Sequence, residues 1–242
     1  MFSVLLVGAD AHFLLDVRSA VAESGRFKVV GEAATPKAAA DLARELQPDV
    51  IVADIGLPQL AGSDVMTRIR AEAAHVRIVI SARSDLDASS EVDPPGSHGR
   101  EIVRLLELVG EPLATAGPAV VIALPNHPAS VARARRFVRS WCQAWNESAI
   151  VEPTLLVVSE LVTNAITHGG GLDELRLRLM PDALRVEVVD AGVGSPEIAE
   201  SHETDEGGRG LRIVTSLSRA WGVENGENGT KVIWSEVARA TG

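Results

Sequence analysis

The sequence predicts an α/β protein of two domains: a doubly wound parallel sheet in the first half, and a second α/β domain containing antiparallel strands. Three observations carry this. Continuous apolar runs, Val4-Leu5-Leu6-Val7, Val50-Ile51-Val52-Ala53 and the Ile78-Val79-Ile80 of a strand opening at Arg77, alternate with helical patterns, as in a parallel sheet covered on both faces. Leu175 to Leu179 and Leu184 to Val188 alternate apolar and charged residues around Pro181-Asp182-Ala183, the pattern of an antiparallel pair with one buried face. The chain has 242 residues, 46% of them hydrophobic, which is enough for two cores. The expected boundaries are residues 1–110 for the first domain, with a polar, proline-containing linker at 83–99, a Pro/Gly/Ala connector at 111–118, and residues 119–242 for the second domain.

In the first half, the strand Val4 to Val7 precedes a helix from about His12 to Ser24, and Phe27 to Val30 is a second strand. Thr35 is placed to cap a helix with Pro36 at its first position, ending near Leu46. The third strand, Val50 to Ala53, is followed by a helix over Ser63 to Arg70 and the fourth strand by the linker. Apolar residues at Ile102, Val103, Leu105, Leu106 and Val109 predict a further amphipathic helix, which either completes the first domain or dimerises.

Charge and composition exclude several classes of function. A net charge of -10 argues against a broad nucleic-acid surface or attachment to an anionic membrane. No apolar run is expected to reach the ~18 residues of a membrane span, and the start of the chain lacks the basic residues of a secretory signal, so a soluble cytoplasmic protein is expected. The single cysteine, Cys142, rules out an internal disulfide or a cysteine-rich metal site. Lysine occurs only at positions 28, 37 and 231, so phosphate contacts must come mainly from arginine, backbone N–H groups or a metal.

The ends of the parallel strands carry Asp10, Asp54 and Ser81, with Asp54 followed by Ile55-Gly56-Leu57-Pro58. Functional residues of such sheets gather at the carboxyl ends of the strands. This pattern resembles the receiver domain of bacterial response regulators over residues 1 to 82. The resemblance implies Asp54 as phosphoacceptor. Two departures accompany it. Gly8-Ala9 replaces the acidic pair that holds Mg²⁺ in that family, and no lysine can end a fifth strand. The reading is a degenerate receiver, suited to docking rather than to a phosphorylation switch, with its last strand and helix missing or remodelled.

The second half opens with a strand, Val120 to Leu124, and a helix capped by Ser130 and running to about Trp145. The next helix, Pro153 to His168, carries Glu160, Asn164 and His168 on one stripe and Leu155, Val158, Val162 and Ala165 on another side, with Gly169 to Gly171 as its stop. A lone Glu-x-x-x-Asn pair is an ordinary solvated stripe, and the downstream motifs change that reading. The second alternating strand ends in Asp190-Ala191-Gly192-Val193-Gly194. An acidic segment, Ser195 to Glu206, then leads to Gly207-Gly208-Arg209-Gly210 before a helix, and Gly229-Thr230 opens the last strand. Glycines ahead of a helix let backbone approach a phosphate closely.

That ordered set resembles the ATP-binding fold shared by gyrase, heat-shock chaperones and histidine kinases, an α/β sandwich with a mixed sheet and helices on one face. Within it the sequence is most similar to the anti-sigma-factor serine/threonine kinases, over residues 118 to 238. The resemblance implies ATP and Mg²⁺ as cofactors. Asn164 would ligate Mg²⁺, Asp190 would accept from the adenine amino group, and Gly192 and Gly194 would make room for the base. Gly208 and Gly210 would lie along the triphosphate, under a lid formed by Ser195 to Glu206. Thr230 would assist at the adenine, and Glu160 would be the catalytic base. With lysine absent, Arg209 or Arg212 is the candidate for the γ-phosphate charge.

The leading functional reading is a serine/threonine protein kinase that phosphorylates a STAS-type anti-sigma antagonist and alternately holds a sigma factor, with homodimerisation open. The alternatives are a binding module that uses ATP occupancy to select partners without transfer, and a phosphorelay component related to histidine kinases.

Overall fold

The computed structural model describes residues 1–54, 76–81, 99, 102–106, 119–168, 170–190, 207–225 and 230–239, with the side chains of 36, 81 and 207–209 excepted. The expected helix at 63–70, the connector at 111–118, the glycines at 192 and 194 and the lid at 195–206 lie outside the described residues. The chain divides into two compact units, Met1–Ile122 and Ala123–Gly242.

The first unit is a parallel sheet in the order β2-β1-β3-β4-β5, formed by β1 (Phe2–Val7), β2 (Phe27–Ala33), β3 (Val50–Asp54), β4 (Arg77–Ser81) and β5 (Ala119–Ala123). Val4 to Val7, Val50 to Ala53 and Ile78 to Ile80 are all buried, as strands covered on both faces require. Helix α1 (Ala11–Ser24) begins at Asp10, whose carboxylate accepts from the N–H groups of His12 (2.8 Å) and Phe13 (3.2 Å). Helix α2 (Pro36–Leu46) begins at Thr35, whose hydroxyl accepts from Ala38 N–H, as the sequence predicts.

The fifth strand departs from expectation. The sequence assigns Val120 to Leu124 to the second domain and leaves the receiver without its last strand. In the fold, Val120, Val121 and Ile122 pair in parallel with Ile78, Val79 and Ile80 of β4. The physical reason is burial: all three are 2% exposed or less, and such a run needs apolar cover on both faces, which a strand of the parallel sheet receives. The helical stretch 102–106 buries Ile102, Leu105 and Leu106. Gly99, just before it, packs on α1, with its N–H donating to Asp16 Oδ2 at 2.9 Å. The helix therefore belongs to the first unit.

The second unit is an antiparallel sheet in the order β6-β7-β9-β8, formed by β6 (Leu172–Leu179), β7 (Ala183–Asp190), β8 (Ala220–Asn225) and β9 (Lys231–Ala238). Helix α3 (Ala129–Ala144) packs on α4 (Val151–His168), which lies on β6, β7 and β9; α5 (Gly207–Leu217) packs on α4 and β8. Ser130 does not cap α3. Pro128 is the cap residue, and Ser130, two residues later and buried, donates its hydroxyl to Pro125 O at 2.6 Å. The stretch Ser148–His168, 21 residues long, is apolar enough by composition to cross a membrane, contrary to the expectation that no run reaches that length. Here Leu155, Val158, Leu161 and Val162 are fully buried, so this apolar side forms core.

Candidate functional site

On α4, the buried Leu155, Val158, Leu161, Val162 and Ala165 fix the roll of the helix. Glu160 and Asn164 are left half-buried at the edge of the core, and His168 is exposed at the helix end. Gly210 of α5 comes against them. A Cβ placed on Gly210 would lie 2.6 Å from Glu160 Oε2 and 3.9 Å from Asn164 Nδ2. Any side chain at 210 would displace the Glu160 carboxylate, so close approach itself calls for glycine.

The sequence places the glycine cluster in a loop ahead of the helix. In the structure Gly207, Gly208 and Gly210 form the first turn of α5 itself. The consequence is electrostatic. First-turn N–H groups have no intrahelical acceptors and attract anions, and this turn abuts a carboxylate and a carboxamide.

Asp190 ends β7 and is 1% exposed. Its Oδ1 accepts from Gly170 N–H at 2.7 Å, and its Oδ2 lies 3.4 Å from the Lys231 ammonium. Gly170 lies two residues beyond the end of α4, so this hydrogen bond ties the chain leaving the Glu160 helix to the sheet. The turn continues through Gly171 at φ +125°, a conformation L-residues rarely adopt, and Leu172 N–H then donates to Asn126 Oδ1 at 3.3 Å. Thr230 is half-buried and immediately precedes Lys231. Gly192, Gly194 and the Arg209 side chain lie outside the described residues, and Arg212 is exposed.

Glu160, Asn164 and Gly210 thus meet at one point, and Asp190 joins them through the end of α4. Lys231, Gly170 and Asn126 were not singled out by sequence reasoning. Lys231 had a faint signal, as the one lysine beyond position 37 and the neighbour of Thr230. Its approach to Asp190 depends on the pairing of β7 with β9, in which the two residues are register partners.

In the first unit, Asp54 ends β3 opposite Ser81 and is 4% exposed. Asp10, the nearest acidic residue in the sequence, is engaged as the cap of α1. Gly8 stands where the acidic pair would begin. A Cβ there would meet the Phe13 ring at 3.1 Å and Asp54 Cβ at 3.5 Å, so an aromatic ring lies beside Gly8 where a metal cage would need oxygen ligands.

Comparison with known proteins follows the same division. A model of the response regulator receiver domain matches residues 4–96, and a model of the histidine kinase-like ATPase domain matches residues 124–235. A protein-glutamate methylesterase/protein-glutamine glutaminase of Halobacterium salinarum is 30% identical over 142 residues, 51% of this chain and 41% of that protein. One of Haloarcula marismortui is 31% identical over 83 residues, 34% of this chain and 22% of that protein. The chain thus spans less than half the length of either relative. Among solved structures, the response regulator domain of Thermotoga maritima CheB is similar at 25% identity, covering 46% of this chain and 95% of that one with a TM-score of 0.37. The receiver domain of AraT from Geobacillus stearothermophilus is similar at 22% identity, covering 46% and 91% with a TM-score of 0.32.

Proposed function

For a chain that joins a response regulator receiver domain to a histidine kinase-like ATPase domain, we propose the activity of an ATP-dependent serine/threonine protein kinase whose substrate is a STAS-type anti-sigma antagonist. An ATPase domain of this kind implies an ATP-binding signalling regulator. The finer reading rests chiefly on one observation, the approach of Gly210 to Glu160 and Asn164. It supports a site in which a carboxylate base and an amide ligand share one wall with a helix N-terminus.

The donor set fits a nucleotide and its metal. Asn164, whose side-chain amide carries an oxygen of the kind Mg²⁺ takes, lies beside the first turn of α5 at Gly210, and Asp190 offers a buried acceptor for a base. Mg²⁺, when bound, would neutralise charge on the phosphates. The protein's own contribution is positioning, which dominates phosphoryl transfer. The first turn of α5 would hold phosphate oxygens with backbone N–H groups. Asp190 would fix the base, and Glu160 would orient the partner's hydroxyl and take its proton as the oxygen attacks the γ-phosphorus and ADP departs.

The decisive test mixes radiolabelled ATP with the chain and a candidate STAS protein. Label on the partner's serine or threonine supports transfer; ATP binding with no label on any partner supports the binding-module alternative. Asn164→Ala is expected to abolish ATP binding, read from the four tryptophans, all of which lie beyond residue 140. Glu160→Gln is expected to preserve binding and lower transfer by about 10²-fold or more, the scale of a lost general base.

A further inference from the structure

We propose that Lys231 determines base specificity at the nucleotide site: paired with Asp190, it lets the site accept 6-oxo purines such as inosine nucleotides as well as adenine nucleotides. The inference rests on the reading of the second unit as a nucleotide site.

The two residues are cross-strand register partners, so their side chains leave the same face of the sheet. That face is the one covered by helices. Ser235, four residues beyond Lys231 and therefore on its side of the strand, hydrogen-bonds Ser218 at the end of α5 (2.7 Å), and Asp190 itself accepts from Gly170 at the end of α4. Arg185, Glu187 and Glu236 form their ion pairs from the opposite face. Among the described residues of this unit, every other ion pair uses arginine as its cation. The one lysine lies beside the carboxylate that would read the base. Its side chain is 25% exposed, against 1% for that of Asp190, so the lysine is the solvent-accessible member of the pair and lies 3.4 Å from a buried acceptor.

The chemistry follows from donor and acceptor counting. A carboxylate accepts only, and an ammonium donates three N–H bonds, so one can be directed at Asp190 and two remain. Adenine offers a donor at its 6-amino group and an acceptor at N1; hypoxanthine offers an acceptor at O6 and a donor at N1. Asp190 with Lys231 complements both by exchanging which group meets which. Asp190 alone would complement the 6-amino group and repel O6, and a site left with mismatched polar groups rejects a ligand strongly.

The test titrates the full chain with ATP and with ITP, using tryptophan fluorescence. The wild-type Kd for ITP is expected within about tenfold of that for ATP, and Lys231→Met should raise the ITP/ATP ratio by about tenfold or more, with Lys231→Arg returning it towards wild type. A ratio is independent of the folded fraction, so a destabilised variant still reports. An unchanged ratio in Lys231→Met, or wild-type exclusion of ITP by more than about 100-fold, overturns the proposal and leaves the ATP site standing. Binding of neither nucleotide overturns both.

Discussion

Gly210 shows how much can rest on a missing side chain. Because its Cβ position lies 2.6 Å from Glu160 Oε2, a methyl group there must push the carboxylate away. The atom displaced is the end of a flexible side chain, so Gly210→Ala should cost little stability and shift the thermal midpoint by only a few degrees. Transfer to a partner should fall by about 10²-fold, since small misplacements of a catalytic group carry such penalties. Normal transfer in this variant would separate Glu160 from the chemistry. Cys142 makes a contrasting case. Burial in α3, reinforced by the Glu147 carboxylate, pushes its thiol up to about 12. Its folded pKa lies above the unfolded value, so its contribution to stability is complete below the unfolded pKa and is lost as pH rises through about 12. Thiol reagents at pH 8 should label Cys142 only at the rate of unfolding; immediate labelling of native protein would contradict its burial.

Among the elements, the outer face of the β6-β7-β9-β8 sheet is held by charge. Arg185 bonds Glu187 (2.7 Å), Glu236 (3.2 Å) and Glu224 (3.3 Å) and lies 4.1 Å over the Trp234 ring. Burial opposes its charge, and the carboxylates of Glu187, Glu236 and Glu224 outweigh that, so its pKa is raised. Arg185→Met leaves Glu187 with Arg176 (3.7 Å) and Glu236 with Arg219 (2.9 Å), so neither carboxylate is stranded, and the loss should be about 1–2 kcal/mol in urea unfolding. A loss below about 0.5 kcal/mol would show a network of surface type. The alternation of β6 and β7 was legible in the sequence as a pair with one buried face, but the partners of its charged residues were not. The ion pairs required the register Arg176↔Glu187 and Arg185↔Glu236, which no single strand encodes. The helices tell the same story. Thr35 and Asp10 cap locally and Thr35 was readable, whereas Ser130 has the composition of a cap but sits within the first turn and donates back to the Pro125 carbonyl.

For the molecule as a whole, the receiver domain keeps its sheet and Asp54 but lacks the acidic pair, and Phe13 lies beside Gly8. Incubation with radiolabelled acetyl phosphate should leave Asp54 unlabelled and ATP turnover unchanged; label on Asp54 would restore a phosphorylation switch. Sequence by itself determined the two-domain α/β class, the helix bearing Glu160 and Asn164, and the order of the glycine motifs. Periodicity, capping chemistry and glycine placement act over a few residues and are written locally. Only the tertiary structure decided that Val120 to Ile122 complete the parallel sheet, that the glycine cluster is the first turn of α5, and that Lys231 stands beside Asp190. Each of these depends on which strand or helix lies alongside. That choice is made by burial and register across more than 40 residues of chain, as in the pairing of Ile78 with Val120 or of Asp190 with Lys231.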